Sequence, residues 1–117
     1  MTHFILLLLH FSFAHAGFCE DQMAEQQLRI DVASTNIKNS DTTRTPEGGP
    51  FRPLRVVCGL GPCSEISDPN FSLRYLPNHP DANENGYVQV PNINVDQQMK
   101  DLKIAQARFI VIRQQCD

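Results

Sequence analysis

The 117-residue sequence has no tryptophan, only two tyrosines, and no cluster of lysines and arginines. With no tryptophan and few aromatic residues, a base-stacking platform for single-stranded nucleic acid is not expected. A net charge of -3 with no basic block lacks the electrostatic footprint needed to hold a phosphate backbone. Histidine is scarce where chemistry would need it. His3, His10 and His15 fall before residue 17, and only His79 stands in the body of the chain. His79 lies between Asn78 and Pro80 with no serine or cysteine nucleophile beside it, and reads as a loop histidine bonded to nearby backbone. No Lys-Ser or Lys-Thr follows Gly48-Gly49, which excludes a phosphate loop. Asp81 and Glu84 do not have the spacing of a calcium-binding EF-hand. These absences leave no clustered catalytic set and no cofactor motif, so the chain reads as something other than an enzyme, with no small-molecule substrate and no nucleic-acid partner.

What is present begins with an apolar run, Phe4-Ile5-Leu6-Leu7-Leu8-Leu9, followed by Ala14-His15-Ala16. A short apolar run ahead of a small-x-small triplet predicts a cleavable export signal over residues 1–16, although the preceding segment carries no lysine or arginine. The run is too short to span a bilayer as a helix. Residues 17–117 are then expected to form a single domain, soluble or assembled into something larger. A chain of that size buries a modest core and commonly gains stability from disulfides, metals or partner subunits.

The patterning predicts a mainly α chain with a small β region: two terminal amphipathic helices flanking short antiparallel strands and loops. The first helix is expected over 20–38. Met23, Ile30 and Ile37 recur at intervals of seven, with Ala33 on the same stripe and Leu28 and Val32 widening it. Asn36, Asn39, Ser40 and Asp41 raise turn propensity and end it near Lys38. A loop and β region fill 39–91. Strands are expected over 54–58, 64–67, 71–76 and 87–90, with Gly59-Leu60-Gly61-Pro62 and Asn85-Gly86 as turns. Phe71, Leu73 and Tyr75 share one face of the third strand. The second helix is expected over 94–116, with Asn94 as its cap and Val95, Leu102, Phe109 and Cys116 at heptad spacing beside Met99, Ala105 and Ile112. Phe109-Ile110-Val111-Ile112 would suit a strand equally well, being β-branched and apolar on all faces. Two apolar stripes at the chain ends allow two solutions: an antiparallel pair within the chain, or packing against copies in neighbouring subunits.

The four cysteines are Cys19, Cys58, Cys63 and Cys116. An even count behind a signal-like segment favours disulfides, ahead of free thiols and ahead of a four-thiolate zinc site, for which a second paired knuckle is missing. If the terminal helices pair antiparallel, Cys19 and Cys116 lie at the same end and can bridge, while Cys58 and Cys63 close their turn.

Several segments resemble the flagellar rod and hook protein family, and within it the proximal rod proteins of FlgC type. Residues Leu28-Arg29-Ile30-Asp31-Val32-Ala33-Ser34-Thr35-Asn36-Ile37-Lys38-Asn39 are similar to the helix-ending signature near the start of these proteins. Thr42-Thr43-Arg44-Thr45-Pro46-Glu47-Gly48-Gly49-Pro50 follows in the family's order. The segment from Leu76 to Val88 and Pro91-Asn92-Ile93-Asn94-Val95 extend the match toward Leu102. The resemblance implies a structural subunit of the proximal rod, exported by the flagellar apparatus and supporting flagellum assembly and motility. Its terminal helices, with Met23, Leu28, Ile30, Ile37, Val95, Met99, Leu102 and Phe109 as assembly positions, would pack with copies of itself and other basal-body proteins in the periplasm-spanning rod. Set beside the family, the sequence carries the 1–16 segment, a short stretch between Val57 and Ser64, and a terminal helix ending early. Two alternatives stand with these departures: a small secreted disulfide-bonded binding module, and a decayed rod-protein copy that does not assemble.

Overall fold

The structure is a computed structural model that describes residues 2–116, with side chains described from residue 17 to residue 116. The expected leader and its cleavage site over 1–16 lie outside the residues whose side chains are described. The element order is α1 (Thr2–Lys38), β1 (Leu54–Val57), β2 (Ser64–Ser67), β3 (Phe71–Tyr75), β4 (Tyr87–Pro91) and α2 (Val95–Cys116). This is the expected mainly α chain with a small β region. The molecule is elongated, 80 × 23 × 19 Å. Among the described residues, no helix is long and apolar enough to cross a membrane.

The first helix is longer than the 20–38 span expected from the apolar stripe. Gly17 falls inside it rather than before it. One glycine within a helix costs only about 1 kcal/mol, too little by itself to end a helix that continues on both sides of it. The C-terminal end falls at Lys38, where Asn39 takes over. The Asn39 N–H still reaches Thr35 O at 3.1 Å, and its side-chain Nδ2 donates to the same carbonyl at 2.9 Å. Asn94 caps α2: its Oδ1 accepts from the Gln97 N–H at 3.1 Å, satisfying one of the orphan donors of the first turn.

Phe109-Ile110-Val111-Ile112 is helical, not extended. The reason is nonlocal. Phe109 and Ile112 continue the half-buried series Gln98, Leu102, Ala105, Phe109, Ile112, Cys116, which steps by four and three residues along one side of α2. On α1 the buried residues Cys19, Gln26 and Ala33 repeat every seven positions. The two helices pack along these series, so the intrachain pair is formed.

The β region is two separate antiparallel hairpins. In the first, β1 pairs β2 with Leu54 opposite Ser67 and Val57 opposite Ser64. In the second, β3 pairs β4 with Phe71 opposite Pro91 and Tyr75 opposite Tyr87. The Asn83–Tyr87 turn of the second hairpin is built by Asn83, whose Oδ1 accepts from the N–H groups of Asn85 and Tyr87, both at 2.9 Å. Gly86 sits there at φ 86°, and a Cβ on it would meet Tyr75 Cε2 at 2.7 Å. Glycine is therefore required twice over, by conformation and by space.

Candidate functional site

Two pins hold the helix pair. At one end Cys19 is bonded to Cys116 across 97 positions of sequence, with Cα atoms 6.0 Å apart. At the other end stands Asn36, fully buried at 0 % exposure. Its Oδ1 accepts from the Leu54 N–H at 2.8 Å, and its Nδ2 donates to Leu54 O at 2.9 Å and to Gln98 Oε1 at 3.1 Å. One amide thus satisfies both backbone groups of the first residue of β1 and ties them to α2. Because the pins join 19 to 116 and 36 to 98, the helices run antiparallel. The pins are separated by roughly 26 Å along the pair, from the 1.5 Å rise of a helix.

The sequence points to Asn36 only as a turn former. Its role as a clamp has no local signal, because the groups it satisfies lie 18 residues away in β1 and 62 residues away in α2.

Between the pins, where α1, β1 and α2 converge, lies an open cleft of about 520 Å³ lined by Gln26, Val32, Leu54, Ile104 and Arg108 among others. Gln26 is 4 % exposed, and its Oε1 meets no hydrogen-bond donor among the described residues. A buried amide oxygen without a partner opposes stability.

A third connection joins the two loops. Thr43 Oγ1 donates to Asp81 Oδ2 at 2.7 Å, and the Arg44 guanidinium pairs with Asp81 Oδ1. The Thr43 hydroxyl, and after it the Arg44 guanidinium, hold the Asp81 carboxyl below its ordinary value. His79 Nδ1 accepts from the Asp81 N–H at 3.0 Å, a bond to local backbone. Asp81 is thus the anchor of the 77–86 loop to the 39–53 loop.

Cys58 and Cys63 form the second disulfide, closing the β1–β2 turn with Cα atoms 4.2 Å apart. With the cysteines paired in this way, the four-thiolate arrangement of Cys19, Cys58, Cys63 and Cys116 is not formed. The β1–β2 turn sits over α1, where Glu25 Oε1 lies 3.5 Å from each sulfur of the pair.

Of the residues singled out on the helices, Met23, Leu28, Ile30 and Ile37 on α1 and Leu102 and Phe109 on α2 are half-buried. Val95 and Met99 are exposed, each at 39 %. Gln98, not Val95, takes the packed position beside Asn36. On α2, Ile104, Ile110 and Val111 are about half exposed, Ile104 at the edge of the cleft against α1. Phe71, Leu73, Tyr75 and Tyr87 add a second exposed apolar face on the β3–β4 hairpin, where the two tyrosine rings lie 5.3 Å apart.

No protein-family model matches the chain. Comparison with individual proteins does find relatives. The flagellar basal-body rod protein FlgC of Borreliella burgdorferi is 30% identical over 119 residues, covering 77% of this chain and 78% of that protein. The FlgC of Bacillus subtilis is 34% identical over 108 residues, covering 68% of this chain and 72% of that protein. The FlgC of Salmonella typhimurium is 35% identical over 85 residues, with 62% of this chain and 63% of that protein covered. Paired terminal helices carrying small hairpins, with apolar surface left outside the pair, define a structural subunit of the bacterial flagellum when set beside these relatives. The chain belongs to the FlgC family of flagellar basal-body rod proteins.

Proposed function

We propose that the chain is built into the proximal rod of the basal body, where it packs with copies of itself and with other rod proteins and performs no catalysis. The observation that carries this reading is the set of apolar side chains on α2 that the helix pair leaves half exposed. Ile104 is 49 % exposed, Ile110 55 % and Val111 50 %. In a free monomer this surface stays in water. In a bundle of neighbouring subunits it is buried, at about 25 cal/mol for each Å² removed from solvent. Single exposed apolar residues need no explanation, but three on one 22-residue helix, in a family of assembly proteins, do.

In this reading residues 17–117 form one rod-protein domain. The helix pair is the packing unit, and the Asn36 clamp sets the angle at which the hairpins leave it. Met23, Leu28, Ile30, Ile37, Val95, Met99, Leu102 and Phe109 are shared between the pair and its neighbours. The free secreted module draws support from the two disulfides, but it leaves Ile104, Ile110 and Val111 half exposed.

Mass spectrometry of purified basal bodies tests the proposal. The chain is expected there in stoichiometric amount with the other rod proteins, and deletion of its gene is expected to abolish motility. Recovery of the protein only as a free monomer outside the basal body would overturn it in favour of the secreted module. Absence from both fractions would overturn it in favour of a non-assembling copy.

A further inference from the structure

The contact between the β1–β2 turn and α1 is chemically incomplete as a disulfide. Bonded sulfurs carry no proton, so neither Cys58 nor Cys63 donates anything to Glu25. Yet Glu25 Oε1 lies 3.5 Å from both sulfurs, and the three ligand atoms all fall within 4.8 Å of one another. A cation stands beside them: Arg29 Nη2 is 3.1 Å from Glu25 Oε1 and 3.6 Å from Cys58 Sγ.

We infer that, when a dithiol reductant gives two electrons to the Cys58–Cys63 bond and is itself oxidised to its disulfide, Cys58 Sγ, Cys63 Sγ and Glu25 Oε1 form a binding site for a single thiophilic divalent cation of the zinc class, which binds the two sulfurs as thiolates as their protons pass to solvent. Two thiolates and one carboxylate carry three negative charges. Arg29 offsets one, and a divalent cation offsets the remaining two. Two sulfurs, one carboxylate oxygen and one water make the four-coordinate set that zinc takes at an open site. Arg29 then holds Glu25 from outside the ligand set, as the partners of metal-bound carboxylates do.

The geometry permits the change. Bonds of about 2.3 Å to a tetrahedral metal place the two sulfurs about 3.8 Å apart, so the turn must open. Gly59 and Gly61 give it freedom, and a Cβ on either would meet nothing within 4 Å. Glu25 does not need to move, because it stands on the continuous helix α1. The site and the disulfide are mutually exclusive, so the metal form belongs to a reducing environment. Nothing in this inference depends on incorporation into a rod.

The test uses the full chain, reduced with a phosphine under anaerobic conditions and titrated with Co²⁺, then with Zn²⁺. One Co²⁺ per chain is expected, with thiolate-to-metal absorption in the near ultraviolet and visible bands of a tetrahedral ion, displaced stoichiometrically by Zn²⁺. Cys58→Ser should abolish this signal. Glu25→Gln should keep the thiolate band but weaken affinity about tenfold or more, since even loss of a group outside the ligand set costs that much. The Cys19→Ala/Cys116→Ala double variant should bind as the parent does. Circular dichroism of each reduced variant checks that it remains helical. No Co²⁺ uptake by the folded reduced parent would overturn the inference. So would uptake lost in the Cys19/Cys116 variant, or unchanged affinity in Glu25→Gln.

Discussion

The Cys19–Cys116 bridge is the feature whose removal should be felt most. It closes a loop spanning 97 positions, nearly the whole described chain. In the chain-entropy account a cross-link over about 100 residues restricts the unfolded ensemble by about 4.7 kcal/mol at 25 °C. A small domain has a total stability of about 5–15 kcal/mol, so the bridge supplies a third of it or more. The Cys58–Cys63 bridge, with a separation of 5, should contribute about 2 kcal/mol by the same relation. The experiment compares urea unfolding of the oxidised parent with Cys19→Ala/Cys116→Ala and with Cys58→Ala/Cys63→Ala, followed by helical circular dichroism. With a denaturant slope of about 1.5 kcal/mol per molar, the first double variant should lose about 3 M in midpoint and the second about 1.5 M. The order of the two losses is the diagnostic. If removing the short-range bridge costs as much as removing the long-range one, the loop-closure reasoning fails. A parent that shows no difference between oxidised and reduced samples would refute it outright.

Asn36→Ala should cost about 2 kcal/mol, because it leaves the part-buried N–H and C=O of Leu54 without their partner, together with the Gln98 amide; thermal melting would register it as a fall in Tm, and loss of amide protection at Leu54 in hydrogen exchange would localise it. Gln26→Leu should stabilise by about 1–2 kcal/mol, since Gln26 Oε1 is buried without a donor and leucine removes the unmet group while keeping the volume; a lower urea midpoint would show instead that the amide is satisfied in solution. Asp81→Asn should matter only where the carboxylate is charged. The Asp81 carboxyl is depressed in the folded protein, so its stabilisation is full above the ordinary aspartate value of about 4 and is lost as pH falls below it. The gap between parent and variant should therefore be constant near neutrality and close in acid. A gap that persists unchanged at about pH 2 would refute the assignment.

Much of this architecture was legible locally. The end of α1, the cap of α2 and the turn at Asn85-Gly86 each rest on a residue whose preference is set by its own neighbours in sequence. Asn94 caps because its short side chain reaches the N–H three residues on, and the structure shows that bond. What was illegible is nonlocal. Asn36 reads as a turn former, because a buried asparagine at a helix end becomes a clamp only when another strand brings both its backbone groups to it. The start of α1 lies ahead of the 20–38 span because the stripe of Met23, Ile30 and Ile37 marks where an apolar face is needed, while the helix itself continues N-terminal to it. Val95 keeps the heptad spacing of Leu102, Phe109 and Cys116 but is exposed. Spacing assigns a residue to a side of the helix and does not say how far along that side the partner extends; here Gln98 takes the last packed position, set by the clamp.

The buried apolar residues among those described are small: Cys19, Val32, Ala33, Val88 and Ala105. No large aliphatic or aromatic side chain is among them. Alanine at Ala33 and Ala105 lets the helices approach closely, but it removes little apolar area from water, and area is what drives folding. The fold compensates with connections that do not depend on area: a covalent bridge at one end of the pair, a three-bonded amide at the other, and the Thr43–Arg44–Asp81 anchor between the loops. Larger side chains, among them Phe71, Leu73, Tyr75, Ile104, Ile110 and Val111, face outward. In the proposed rod, these exposed side chains would gain burial from neighbouring subunits. For a member of the FlgC family, this distribution ties the pins to assembly. They hold the helix pair and the loops in shape without relying on apolar area.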